Sequence, residues 1–238
     1  MRSRRANVKG VVALLLALLA SGCRESGGGF SGIADALRGG PPDAVVRAAV
    51  ALQASTPYGV PEGFRYDATD ESSALTAADR ANAMDQRYRI RWWASNHGPA
   101  MQDAGERFTL THRTSGEWDA HNLAAFNADG SFLATGEDFA GTYTGTSPVR
   151  GFQNLILVLR REGTTHVGEI RFWYGRENHA FRIVAFHRPR AGEQLVCWLQ
   201  DLDSAAKTVK ATTVHERGRA FHLNLPGETS NFTFRGER

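Results

Sequence analysis

From Arg87 onward the chain alternates polar and apolar residues with a period of two, and this constrains its fold more than any other feature. Tyr88, Ile90 and Trp92 interleave with Arg87, Arg89 and Arg91. Leu155, Leu157 and Leu159 interleave with Asn154, Ile156 and Val158; Gly168, Ile170, Phe172 and Tyr174 do so with Glu169, Arg171 and Trp173. Successive side chains of a strand point to opposite faces, so each such segment reads as a strand with one buried side. Strands are expected over 87–93, 107–112, 117–126, 131–135, 139–144, 153–160, 166–174, 179–187, 194–200, 208–214, 220–225 and 231–234. Turn signals at Ala128-Asp129-Gly130 and Pro189-Arg190-Ala191-Gly192 punctuate them. Helices are few. Pro41-Pro42-Asp43 opens one that runs through Ala54, with Val46, Ala49 and Val50 on one face. Thr76-Ala77-Ala78-Asp79 has the spacing of a capping box, and the alanines up to Met84 favour a second, short helix. Sequential strands with so few helices between them exclude a parallel α/β sheet. The expectation is a mainly β domain, an antiparallel barrel or sandwich of roughly ten to twelve strands with one or two short N-terminal helices.

The N-terminus states where such a domain works. Ten uninterrupted aliphatic residues, Val11 to Ala20, follow Arg2, Arg4, Arg5 and Lys9. The block is too short for a membrane span and ends in small residues, as a secretory signal does. Ala20-Ser21-Gly22-Cys23 resembles the lipobox of bacterial lipoproteins. The resemblance implies removal of residues 1–22, acylation (palmitate included) of Cys23, and attachment to the lipid bilayer through that residue. Arg24 stands where many Gram-negative lipoproteins carry an inner-membrane retention Asp, which implies the outer membrane, facing the periplasm. Residues 23–40, rich in Ser and Gly, read as a tether, and 41–238 as one β-rich domain with its N-terminal helices.

Charge and cysteines narrow the partners. The whole chain carries +3, and loss of the four leader cations leaves the remainder near −1. No global field remains to gather polyanions, so no nucleic-acid partner is expected. Once Cys23 is acylated, Cys197 has no partner. Within Leu195-Val196-Cys197-Trp198-Leu199 it reads as a buried thiol that packs as a small hydrophobe.

Motifs for catalysis are missing. His215-Glu216 begins like a zinc-protease helix, but position 219 is Arg. His179 and His187 are eight residues apart, roughly 26 Å along a strand, too far to share an ion. There is no Gly-x-Ser-x-Gly and no phosphate loop, and the carboxylates Glu117, Asp119, Asp129, Glu137 and Asp138 cannot be paired from sequence. No catalytic residue, metal site or cofactor is expected.

Gly116-Glu117-Trp118, Asn127-Ala128-Asp129-Gly130-Ser131-Phe132 and Gly141-Thr142-Tyr143-Thr144-Gly145 together look like the first meander of lipocalin-like barrels. That resemblance implies that Trp118 closes a barrel floor. Two Arg-x-Trp pairs are the remaining candidates for binding: Arg87, Arg89 and Arg91 ending at Trp93, and Arg171 with Trp173. Guanidinium forks beside a stacking aromatic suit an anionic or carbohydrate ligand, and suit equally a solvated sheet face whose arginines pair with Asp and Glu. The functional expectation is a membrane-anchored, non-catalytic binding domain for an envelope protein or glycan, including an inhibitor or immunity protein. The alternatives are a carrier of a small apolar ligand and an envelope glycan or peptide hydrolase.

Overall fold

Thirteen strands form two sheets in a computed structural model that describes residues 40–55, 59–95, 105–204, 208–218, 220–225 and 231–236. The signal segment, Cys23 and all but the last residue of the expected tether lie outside the described residues. Residues Gly39–Arg238 make one compact unit. Its first sheet is an antiparallel run of β1 (Arg65–Asp70), β2 (Met84–Trp93), β3 (Glu106–Arg113), β4 (Trp118–Ala120) and β5 (Ala125–Phe126), in that order. The second is a closed barrel of eight strands. These are β6 (Gly141–Thr146), β7 (Phe152–Glu162), β8 (Thr165–Tyr174), β9 (Glu177–His187), β10 (Leu195–Asp201), β11 (Val209–Arg217), β12 (Ala220–Asn224) and β13 (Asn231–Gly236). Each barrel strand pairs with the next in sequence, and β13 returns to pair with β6.

A mainly β fold with an antiparallel barrel is therefore observed, but the count of ten to twelve strands was too low. The excess has a physical origin. β1 (Arg-Tyr-Asp-Ala-Thr-Asp) is almost wholly exposed, so no buried face imposed alternation on it. The expected strand 117–126 is broken into β4 and β5, three and two residues long, by a turn through Asn122, whose φ is +59°. Segment 131–135 keeps only an isolated bridge, Phe126 to Phe132. Of the two helices, α1 spans Asp43–Gln53 and buries Val45, Val46, Ala49 and Val50. Helix α2, Ala77–Ala81, has its capping box: Asp79 N–H donates to Thr76 Oγ1, and Thr76 N–H donates to the Asp79 carboxylate. It stops short of Met84 because Ala83 takes φ +59° and β2 begins there.

The barrel is filled by its own side chains. Phe172, Phe181, Phe186, Phe221, Phe232 and Phe234 pack inside with Leu155, Leu157, Leu159, Ile170, Ile183 and Leu199. Cys197 is fully buried among them, and burial alone drives its thiol pKa far up, so it packs rather than reacts. A bulge in β9 turns both Val184 and Ala185 outward while Ile183 and Phe186 face in. Ala185, Trp198 and Val209 of the outer wall thereby join α1 and the inner face of the first sheet in a second core.

A strap of residues 133–140 leads from the first sheet to the barrel. Thr135 N–H donates to Arg188 O, and Phe139 is inserted among His166, Phe186 and Phe221. Tyr143 Oη donates to Phe139 O at 2.8 Å, and Phe139 N–H donates to His166 Nε2 at 3.1 Å. Around the same end, Arg190 bridges Glu117, just ahead of β4, and Asp119 of β4, at 2.9 and 2.7 Å, while Arg188 reaches Glu137 and Glu216. The two sheets are thus joined by an apolar core and a charged clasp. Removing the ring in Phe139→Ala should cost about 3–5 kcal/mol in urea unfolding, because a closed aromatic cluster cannot collapse into the space; a cost below 1 kcal/mol would show that the strap does not plug the barrel.

His187 lies at this junction, 3% exposed, against the Phe132 ring and 3.3 Å from Thr165 Oγ1. Burial, and secondarily His166, depresses its pKa from 6.5 to about 4. Its folded state therefore rejects a proton that the unfolded chain accepts. Stability from this residue is complete above pH 6.5 and falls as pH drops from 6.5 towards 4, by up to about 3 kcal/mol. The carboxylates Asp79, Asp129 and Asp138 also have lowered values, and their contribution is lost only below that window. His187→Gln should flatten the pH dependence of the urea midpoint between pH 6.5 and 4.5; an unchanged slope would remove this residue from the acid response.

Candidate functional site

The face of the first sheet turned away from α1 gathers the best set of converging polar side chains. Outward positions on β2 are Arg87, Arg89, Arg91 and Trp93, because Tyr88, Ile90 and Trp92 are taken by the second core. The β1–β2 register sets Thr69 opposite Arg89 and Asp67 opposite Arg91. The β2–β3 register sets Thr109 opposite Arg89 and Arg107 opposite Arg91. Two arginines thus face each other across neighbouring strands, an arrangement that repels.

Each predicted arginine of this strand has an acidic neighbour. Arg87 lies 3.3 Å from Asp79, Arg89 3.1 Å from Glu71, and Arg91 2.7 Å from Asp67. The Arg91 guanidinium also sits 5.2 Å from the Trp93 ring. The Arg89 and Arg91 pairs are substantially exposed, and such pairs contribute about 0–1 kcal/mol, so they hold the side chains without locking them. Arg107 is exposed, and its guanidinium has no partner among the described residues. Asp67, Thr69, Arg89, Arg91 and Arg107 line an open hollow of about 350 Å³. A second hollow of about 360 Å³ shares Arg89 and Arg107, passes Thr109, His121, Asn122 and Leu123, and reaches round the edge of β3 to Phe108 and to Gln53 of α1.

The other candidates fall elsewhere. Arg171 and Trp173 are on β8, on the outside of the barrel; Arg171 pairs with Glu169 at 2.8 Å, and Trp173 is 42% exposed. The two Arg-x-Trp pairs belong to different sheets and do not form one surface stripe. Trp118 is in β4 of the first sheet, buried between Tyr88 and His112, and does not close a barrel floor. The Gly-x-Trp segment and the Asp-Gly turn lie ahead of the barrel; of the three quoted segments only Gly141 to Gly145 belongs to it.

Arg107, Asp67, Thr69, His121 and Asn122 were not singled out from sequence. Only the cross-strand register places Arg107 beside Arg91, and nothing in residues 94–105 specifies that register. The scattered carboxylates all have structural work: Glu117 and Asp119 hold Arg190, Glu137 holds Arg188, Asp129 accepts from Ser131 N–H, and Asp138 accepts from Ala140 N–H. Among the described residues no three His, Cys, Asp or Glu side chains are grouped to hold a metal ion. No helix among them is long and apolar enough to cross a membrane.

Compared with known proteins, the chain matches no family model, no curated protein and no solved structure.

The facing arginines make a stability prediction. Arg107→Gln removes the repulsion with Arg91 and should raise unfolding free energy by about 0.5 kcal/mol at low salt, with the gain shrinking as salt screens the pair. A destabilised variant would mean that Arg107 serves the fold instead.

Proposed function

We propose that this protein is a lipid-anchored, non-catalytic binding domain of a bacterial envelope, held to the outer membrane through acylated Cys23 and facing the periplasm. Its partner is an envelope protein or glycan, met by the outer face of the five-stranded sheet. The supporting observation is the distribution of space. The barrel interior is occupied by aromatic and aliphatic side chains, whereas the open hollows lie outside it, one on the barrel wall between Arg160 and Arg182 and two against β3, where Arg107 has no acidic partner among the described residues. A carrier of a small apolar ligand needs an enclosed cavity of roughly 300 Å³ or more, and a core packed in this way weighs against that reading. The tight turns, the disulfide-free core and the clasp at Arg190 suit a rigid body displayed on a tether, since a preorganised face loses little entropy on binding.

Two measurements test this reading. Cys23→Ser should abolish labelling by palmitate and move the protein from the membrane to the soluble fraction; unchanged labelling and fractionation would refute the anchor. The unacylated full chain should co-sediment with isolated envelope fragments. Arg89→Glu should weaken that association by about tenfold or more, and Arg171→Glu should leave it intact. No sedimentation above that of an unrelated protein, or equal binding by Arg89→Glu, would refute the binding face.

A further inference from the structure

We infer that the two joined hollows on β1–β3 bind an acidic oligosaccharide, with its carboxylate or phosphate held by Arg89, Arg91 and Arg107 and a neighbouring sugar ring beside Asn122 and His121. This rests on the binding-domain reading above and names the ligand class for that face.

Three arginines line one hollow, with a single carboxylate, Asp67, among its walls. Arg89 is steadied by Glu71 and Arg91 by Asp67. Arg107 is held by no acid among the described residues, although it faces Arg91 directly. A guanidinium fork presents paired donors that match the oxygens of a carboxylate or phosphate, and a bound oxyanion would relieve the Arg91–Arg107 repulsion. The fold therefore carries an electrostatic cost at the spot where an anion would offset it. Hydroxyls of Thr69 and Thr109 stand on the same face, opposite Arg89 on either side.

The second hollow explains why the ligand is more than an anion. It shares Arg89 and Arg107 with the first and continues past Thr109, His121, Asn122 and Leu123 to Phe108 and Gln53 at the edge of the sheet. The side chains of Thr109, His121 and Asn122 have no hydrogen-bond partner among the described residues, and Leu123 offers an apolar surface beside them. Polar groups around an apolar patch match a sugar ring, whose hydroxyls point outward from a face of C–H bonds. Asn122 is set in position by its left-handed backbone (φ +59°), a conformation Asn tolerates better than most residues. Each hollow is within the size range of ligand sites, roughly 300–1,000 Å³, and a bare oxyanion would use only the first.

The test is isothermal titration of the full chain in detergent, at low salt, with a galacturonate tetramer, its fully methyl-esterified form, a polyglutamate of equal charge, and inorganic phosphate. The acidic tetramer should bind, the ester at least tenfold more weakly. Polyglutamate and phosphate should both bind more weakly than the acidic tetramer. Arg107→Gln should weaken the tetramer about tenfold and Arg107→Lys, which keeps the charge but loses the fork, by an intermediate factor. Asn122→Ala should weaken the tetramer and leave phosphate unchanged. Equal binding of polyglutamate would assign the face to an acidic protein, and phosphate binding as tight as the tetramer's would reduce it to an anion site; either overturns the inference. So would no tetramer binding, or an unaffected Arg107→Gln. If envelope fragments still bind in an Arg89-dependent way while the tetramer fails, the ligand class is wrong and the binding-domain reading stands.

Discussion

Pairing of β13 with β6 is the constraint on which the rest depends. A sheet of eight strands that did not close would leave two edges with unpaired N–H and C=O groups and an apolar concavity open to water. Closure removes both at once and commits every inward residue to a single core. That core is unusually aromatic, and the rings meet edge-on or stacked at 5–6 Å, as Phe186 with Phe221 (5.2 Å) and Phe152 with Phe232 (5.0 Å) do. Each buried ring contributes roughly 1.5–3 kcal/mol by area alone, so the barrel needs no disulfide. The same filling occupies the interior, which is why the proposed binding face lies outside the barrel.

The five-stranded sheet is then best understood as an attachment to a finished barrel. It shares a core with the barrel wall through Ala185, Trp198 and Val209, and α1 completes that core. The bulge in β9 makes the arrangement work, because it turns one additional residue outward without losing Phe186 from the interior. The clasp at Arg190, which meets Glu117 and Asp119 together, fixes the sheet at one end of the interface. With the inner face spent on packing, the outer face of β1–β3 is left to solvent, and it is this face that the proposed reading assigns to recognition.

Much of this was legible in the sequence for one reason: a strand with one face in a core must alternate. Strands β7 to β13 were all placed, because each has an inner face in the barrel. Helix α1 and the capping box at Thr76 were readable for equally local reasons, the spacing of apolar residues and of a single polar pair. What failed was non-local. β1 is exposed except at Tyr66 and carried no pattern, and the division between sheet and barrel depends on which strand ends meet across space. Trp118 looked like a barrel residue because its local motif is short, and its true neighbours are His112, across the β3–β4 turn, and Tyr88, distant in the chain. The candidate site was half visible. The row of Arg89 and Arg91 could be read from alternation, whereas Arg107 joins it only through the register of β2 with β3.

The central claim is that recognition belongs to the outer face of the small sheet and that the barrel is a solid support. Hydrogen exchange of the full chain, with and without saturating envelope fragments, addresses it most directly. The account predicts added protection over residues 65–70, 84–93 and 106–113, with exchange in β7 to β9 unchanged. Protection confined to the barrel strands, above all around Ile156 and Trp173, would contradict it.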